Sequence, residues 1–143
     1  MDAIVRRAIY SAIVASGRPP TAAELAASLA VDAASVVASY RRLADAHVVV
    51  LQPGSVEVAW APPFSALPTP FRVSTVSGAW HAPCAWDAFG IAAALKQDAE
   101  INARCAWSGE PVCCGVDQGA AHGAGVIHLL VPAAHFWDDI HFT

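Results

Sequence analysis

Cys84 and Asp87 lie three residues apart in Ala82-Pro83-Cys84-Ala85-Trp86-Asp87-Ala88-Phe89, and no other pair in this 143-residue chain is better suited to joint chemistry. Pro83 fits the approach to a helix, where its fixed φ is already close to helical and its missing N–H costs nothing. Cys84 is therefore expected at the cap or in the first turn. There, unpaired backbone N–H groups and the positive end of the helix dipole favour a thiolate. Asp87 returns to the same face one turn later. A thiolate prefers soft metal ions over hard ones. A carboxyl beside it can accept the thiol proton and later return one to a leaving carbanion. A purely structural cap fits the same pattern. Asp in the first turn satisfies backbone donors, and a Cys among Ala and Trp is often a small buried hydrophobe.

The other cysteines are Cys105, Cys113 and Cys114. Cys105 precedes the turn residues Trp107-Ser108-Gly109 and reads as structural. Cys113 and Cys114 are adjacent, so on a strand their side chains face opposite ways, and only one could add a thiol to a site. No Cys-x-x-Cys pair supports a structural zinc site. The six histidines are dispersed and include no i, i+4 pair of the zinc-protease type.

The elements that must position Cys84 follow from periodicity and turn signals. Apolar residues Ile4, Val5, Ala8, Ile9, Ala12 and Ile13 predict a helix over 3–16, stopped by Gly17-Arg18-Pro19-Pro20. Thr21 and Glu24 read as a capping box for a second helix reaching about Ala30. Asp32 caps a third, over 33–46, with Val36, Val37, Tyr40 and Leu43 inward. Residues 47–52 and 55–60, separated by Pro53-Gly54, predict a hairpin. Three helices and a hairpin make a winged-helix-like unit over 1–60. Four prolines in 61–70 suggest an extended linker. Beyond it, over 71–143, strands are expected at 71–76, 100–105, 110–116 and 126–131, a helix at 86–95, a loop at 119–125 and a short helix or turn at 132–139. The fold class is α+β: the winged-helix-like unit, then a small mixed sheet with one site-bearing helix.

Apolar residues make up 56% of the chain and charged residues 14%, enough to bury a core and against disorder. The net charge is −4, with a single lysine, Lys96. Reading DNA needs clustered cations, and the third helix offers only Arg41 and Arg42, so the helical unit is expected to pack rather than to bind nucleic acid. No run approaches the roughly 18 apolar residues of a membrane span, and no signal peptide is apparent. A cytoplasmic location is expected, with reduced cysteines and no membrane partner. Trp137 and Phe142 near an unfinished edge favour a homodimer.

With these residues in place, the chain resembles the alkylmercury lyase family from about Pro68 to Thr143. The resemblance rests on Pro83-Cys84-Ala85-Trp86-Asp87-Ala88-Phe89-Gly90, on Ala99-Glu100-Ile101-Asn102-Ala103-Arg104-Cys105 with Ser108-Gly109-Glu110-Pro111-Val112, on Val131-Pro132-Ala133-Ala134, and on Trp137-Asp138-Asp139-Ile140-His141-Phe142-Thr143. It implies cleavage of carbon–mercury bonds by protonolysis, with an organomercurial as the small-molecule partner. Cys84 would hold mercury, Asp87 would handle the proton, and Cys105 would be structural. No resident cofactor is implied. External thiols would be needed, and Hg(II) would leave to them or to a mercuric reductase. The family's second catalytic cysteine follows the segment matching Asp139-Ile140-His141-Phe142-Thr143, where this sequence stops. Weakened turnover is therefore expected, with Cys113 or Cys114 as a replacement mercury ligand. Two alternatives stay open: a thiol-based metal-sensing regulator, and a lyase-like enzyme acting on another substrate.

Overall fold

The structure, a computed structural model, describes residues 1–142; Thr143, the last residue of the family-like C-terminal segment, lies outside them. Helix α1 (Asp2–Ser16) buries Val5, Ile9 and Ile13, a stripe at i, i+4 and i+8, and ends at Gly17 in the left-handed region. Helix α2 (Ala22–Leu29) starts at the expected capping box: Glu24 N–H donates to Thr21 Oγ1 (3.1 Å) and Thr21 N–H donates to Glu24 Oε2 (2.8 Å). Helix α3 (Ala33–Asp45) is capped by Asp32, which accepts from Ser35 N–H at 2.8 Å. It buries Val36, Tyr40 and Leu43, and the Tyr40 hydroxyl donates to the Pro20 carbonyl at 2.9 Å, tying α3 to the turn before α2.

Eight strands follow: β1 (Val50–Leu51), β2 (Val58–Ala61), β3 (Phe64–Ser65), β4 (Phe71–Thr75), β5 (Gly78–Ala82), β6 (Ala99–Arg104), β7 (Pro111–Asp117) and β8 (Ala120–Gly123). They form one sheet in the order β1-β2-β3-β5-β4-β6-β7-β8, with every pairing antiparallel. Helix α4 (Ala85–Leu95) lies across β4, β5 and β6 and buries Ala88, Ile91 and Ala92, in a core that includes Val73, Trp80 and Ile101. Full burial of a side chain such as Ile91 is worth about 2–3 kcal/mol, so this helix is held to the sheet by packing rather than by its own propensity.

Three stretches differ from the sequence reading. Residues 61–70, expected as an extended linker, carry the end of β2 and all of β3, with Ala61, Phe64 and Ser65 buried. Their prolines sit at the turn and beside the strands, while the apolar residues between them fill the core. The pairing of Ser65 with His81 then joins the first hairpin to the rest of the sheet. The run 126–131, expected as a buried strand, has no strand partner among the described residues, and Val126 is 93% exposed. The expected loop at 119–125 contains β8 instead. Gln118 and Gly119 both take positive φ (49° and 77°), the geometry of a two-residue hairpin turn, and Asp117 pairs with Ala120. The β8 strand is the edge strand beside β7.

The C-terminal stretch docks beside β1 and β2. Its 3₁₀ turn (Ala133–His135) precedes Trp137, which stacks on His47 at 4.0 Å, and His141 packs against Trp60 at 5.2 Å. Among the described residues no single helix is long and apolar enough to cross a membrane.

Candidate active site at the start of the core helix

Strand β5 delivers the chain to the site. Its end is fastened by Thr69, whose hydroxyl donates to the Ala82 carbonyl at 2.6 Å and whose N–H donates to His81 Nδ1 at 3.2 Å. Cys84 then takes extended φ/ψ (−145°, 177°) as the N-cap of α4. Its sulfur fills the place that a Ser or Asp oxygen usually takes: Asp87 N–H donates to Cys84 Sγ at 3.4 Å. The thiol in turn donates to Asp87 Oδ2 at 3.2 Å. One residue pair thus makes a two-way contact across the first turn. Trp86 beside it is exposed.

The electrostatics correct one expectation. The helix terminus was expected to favour a thiolate at Cys84. Instead, burial pushes the thiol up to about 11; the Asp87 N–H pulls the other way, while the Asp87 charge and the hydrogen bond to its carboxylate add to the rise. Burial also raises Asp87, partly offset by the thiol it accepts from. Desolvation outweighs the dipole because the sulfur is half-buried and receives only one clear N–H bond. At neutral pH the thiol keeps its proton and points it at Asp87 Oδ2.

The remaining cysteines do not join Cys84. Cys113 and Cys114 pair with Asn102 and Ile101 on β6, and β6 is separated from β5 by β4. Three inter-strand steps place them about 14 Å from β5, so neither is a substitute thiol beside Cys84. They face opposite sides as expected: Cys113 is exposed with its thiol 3.5 Å from Asn102 Oδ1, and Cys114 packs against the core. Cys105 opens the turn between β6 and β7. Its N–H donates to the Glu110 carbonyl at 2.9 Å, and hydrogen bonds from Ser108 lower its thiol. Among the described residues no three His, Cys, Asp or Glu side chains cluster to hold a metal ion.

The alkylmercury lyase family model matches residues 64–143, the stretch that holds Cys84, Asp87 and the sheet around them. The chain belongs to the alkylmercury lyase family. Its fold is similar to that in the crystal structure of the mercury-bound form of MerB2, with a TM-score of 0.64 and 23% identity over 85% of this chain. The chain spans 57% of the length of that protein. No curated protein matches. The family match covers α4 and β3 to β8 but not α1 to α3. Sequence reasoning named Cys84 and Asp87 and did not single out Thr69, which anchors β5. A threonine between two prolines carries no signal of a partner thirteen residues away.

Proposed function

We propose that the protein cleaves carbon–mercury bonds of organomercurials by protonolysis at Cys84 and Asp87. The observation that carries the reading is the 3.2 Å contact from the Cys84 thiol to the Asp87 carboxylate at a helix start, within the family-matched segment. Mercury of the substrate binds Cys84 Sγ, and the thiol proton passes to Asp87 Oδ2, to which it already points. Coordination by a soft cation favours the thiolate strongly enough to deprotonate a thiol with a raised pKa. The carbon–mercury bond then breaks with its electron pair going to carbon, and carbon takes the proton from Asp87. The products are a hydrocarbon, carboxylate-form Asp87 and Hg(II) on Cys84. A small external thiolate supplies mercury's second sulfur and a further one carries Hg(II) away, restoring Cys84 once a proton returns to it from solvent. The carbon receives the proton that the Cys84 thiol gave to Asp87, and solvent replaces that proton once Hg(II) has left, so each turnover takes up one proton and transfers no electrons to a cofactor.

The test is incubation of the reduced protein with phenylmercury in excess thiol and measurement of benzene. Release by the wild type, lost in both Cys84→Ser and Asp87→Ala, is the expected result. Mercury bound at Cys84 without benzene would refute turnover and favour a metal-sensing role.

A further inference from the structure

Helix α1 reaches β5 and the turn that rests on α4, the two elements that hold the reacting pair. The Tyr10 hydroxyl donates to the Pro62 carbonyl at 3.0 Å and lies 3.4 Å from the Val48 carbonyl. One turn later, the Ile13 carbonyl accepts from the buried Trp80 indole at 2.9 Å. Trp80 lies on β5, four residues before Cys84. Pro63, next to the Tyr10-bound carbonyl, rests on Gly90 of α4 so closely that a Cβ at Gly90 would stand 3.0 Å from Pro63 Cβ. Gly90 lies three residues after Asp87, on the same helix face.

We propose that Tyr10 is a positioning residue for the Cys84–Asp87 pair: its hydroxyl fixes the Pro62-Pro63 turn against the α4 face that carries Asp87. The ring is half-buried with the Arg6 guanidinium 5.9 Å above it, and the hydroxyl senses both Arg6 and the Asp87 charge, as a group near the site would. Burial is the largest cause of the raised Cys84 thiol, so a looser seat for α4 that admits water reads out in that thiol. The role in catalysis rests on the proposed lyase reaction, but the seating of the thiol does not.

The test compares wild type, Tyr10→Phe and Gly90→Ala as full chains. Tyr10→Phe keeps the ring and removes the hydroxyl; Gly90→Ala crowds the same contact from the helix side and favours helix. Two readouts are taken: the pH midpoint of Cys84 alkylation by iodoacetamide, followed by mass spectrometry, and kcat and KM for benzene release from phenylmercury. Looser seating admits water to the half-buried thiol, so both variants are expected to lower the midpoint by about one unit, a tenfold change in thiolate fraction. They are also expected to lower kcat about tenfold with KM within twofold, because positioning acts on the reacting geometry rather than on mercury capture. An unchanged midpoint in both variants, whatever their thermal stability, overturns the assignment. Should the wild type release no benzene, the lyase reading fails while the alkylation midpoint still decides the role of Tyr10.

Discussion

The raised thiol at Cys84 gives the sharpest test of the site. An ordinary cysteine titrates near 9.0, and burial beside Asp87 brings this one to about 11. Two units lower the thiolate fraction at pH 8 about a hundredfold. The more basic sulfur is intrinsically more nucleophilic, which recovers about tenfold. Cys84 should therefore alkylate about tenfold slower in the folded protein than in urea. Its rate should still be climbing at pH 10, where an ordinary thiol has levelled off. Brief iodoacetamide pulses across pH 7–11.5, read by mass spectrometry of the Cys84 peptide, give the profile; exposed Cys113 reports reagent activity in the same sample. In Asp87→Asn the carboxylate charge disappears and burial remains, so the midpoint should fall without reaching 9. A wild-type midpoint at or below 9, or a rise in Asp87→Asn, would refute the claim that burial outweighs the helix terminus.

The same shift links to stability. The folded state holds the Cys84 proton more tightly than the unfolded chain, so this contribution is present below pH 9 and lost as the pH climbs to about 11. Discounted for partial exposure, about 1 kcal/mol should vanish between those values in urea melts, and Cys84→Ser should lack the step. At Gly115 a Cβ would stand 2.2 Å from the Ala99 carbonyl, a backbone atom on the paired strand. Gly115→Ala should destabilise by about 1–3 kcal/mol; an unchanged urea midpoint would mean that β6 and β7 are not paired as described. The double variant Cys113→Ala, Cys114→Ala should leave mercury binding at Cys84 and benzene release within twofold, because both thiols lie about 14 Å from β5. A tenfold loss with the fold intact would place one of them at the site after all.

Local physics was legible in the sequence, and long-range geometry was not. The stripe through Val5, Ile9 and Ile13, the Thr21–Glu24 box and the Asp32 cap follow from spacing within one or two turns, and each stands in the structure as read. The Cys84–Asp87 contact belongs to the same class, since N-cap and N3 meet in any helix that starts there. The sheet order is different in kind. Nothing local tells Phe64-Ser65 to pair beyond the turn with β5, so a segment with four prolines read as a linker. The run 126–131 has the β-branched, apolar character of a strand, but whether such a run finds a ladder depends on long-range placement that its own residues do not encode. The Gln118-Gly119 turn, a weaker signal, places β8 beside β7.

The corrected sign at Cys84 changes how the proposed reaction begins. A thiolate activated by the helix terminus would capture mercury quickly, but it would have lost its proton to solvent and the carbon would then need one from outside. A half-buried thiol donating to a half-buried carboxylate keeps the proton within the pair at neutral pH. Mercury itself then supplies the driving force that moves the proton across 3.2 Å to Asp87. The raised Asp87 suits that proposed sequence: its carboxyl lies 3.2 Å from the sulfur that would hold the metal and is the acceptor for the thiol proton. Burial, which slows the free thiol toward ordinary alkylating agents, is on this argument what couples metal capture to protonation of carbon. It follows that Asp87→Ala should speed alkylation of Cys84 while abolishing benzene release, a divergence that a simple activated-thiolate site would not produce.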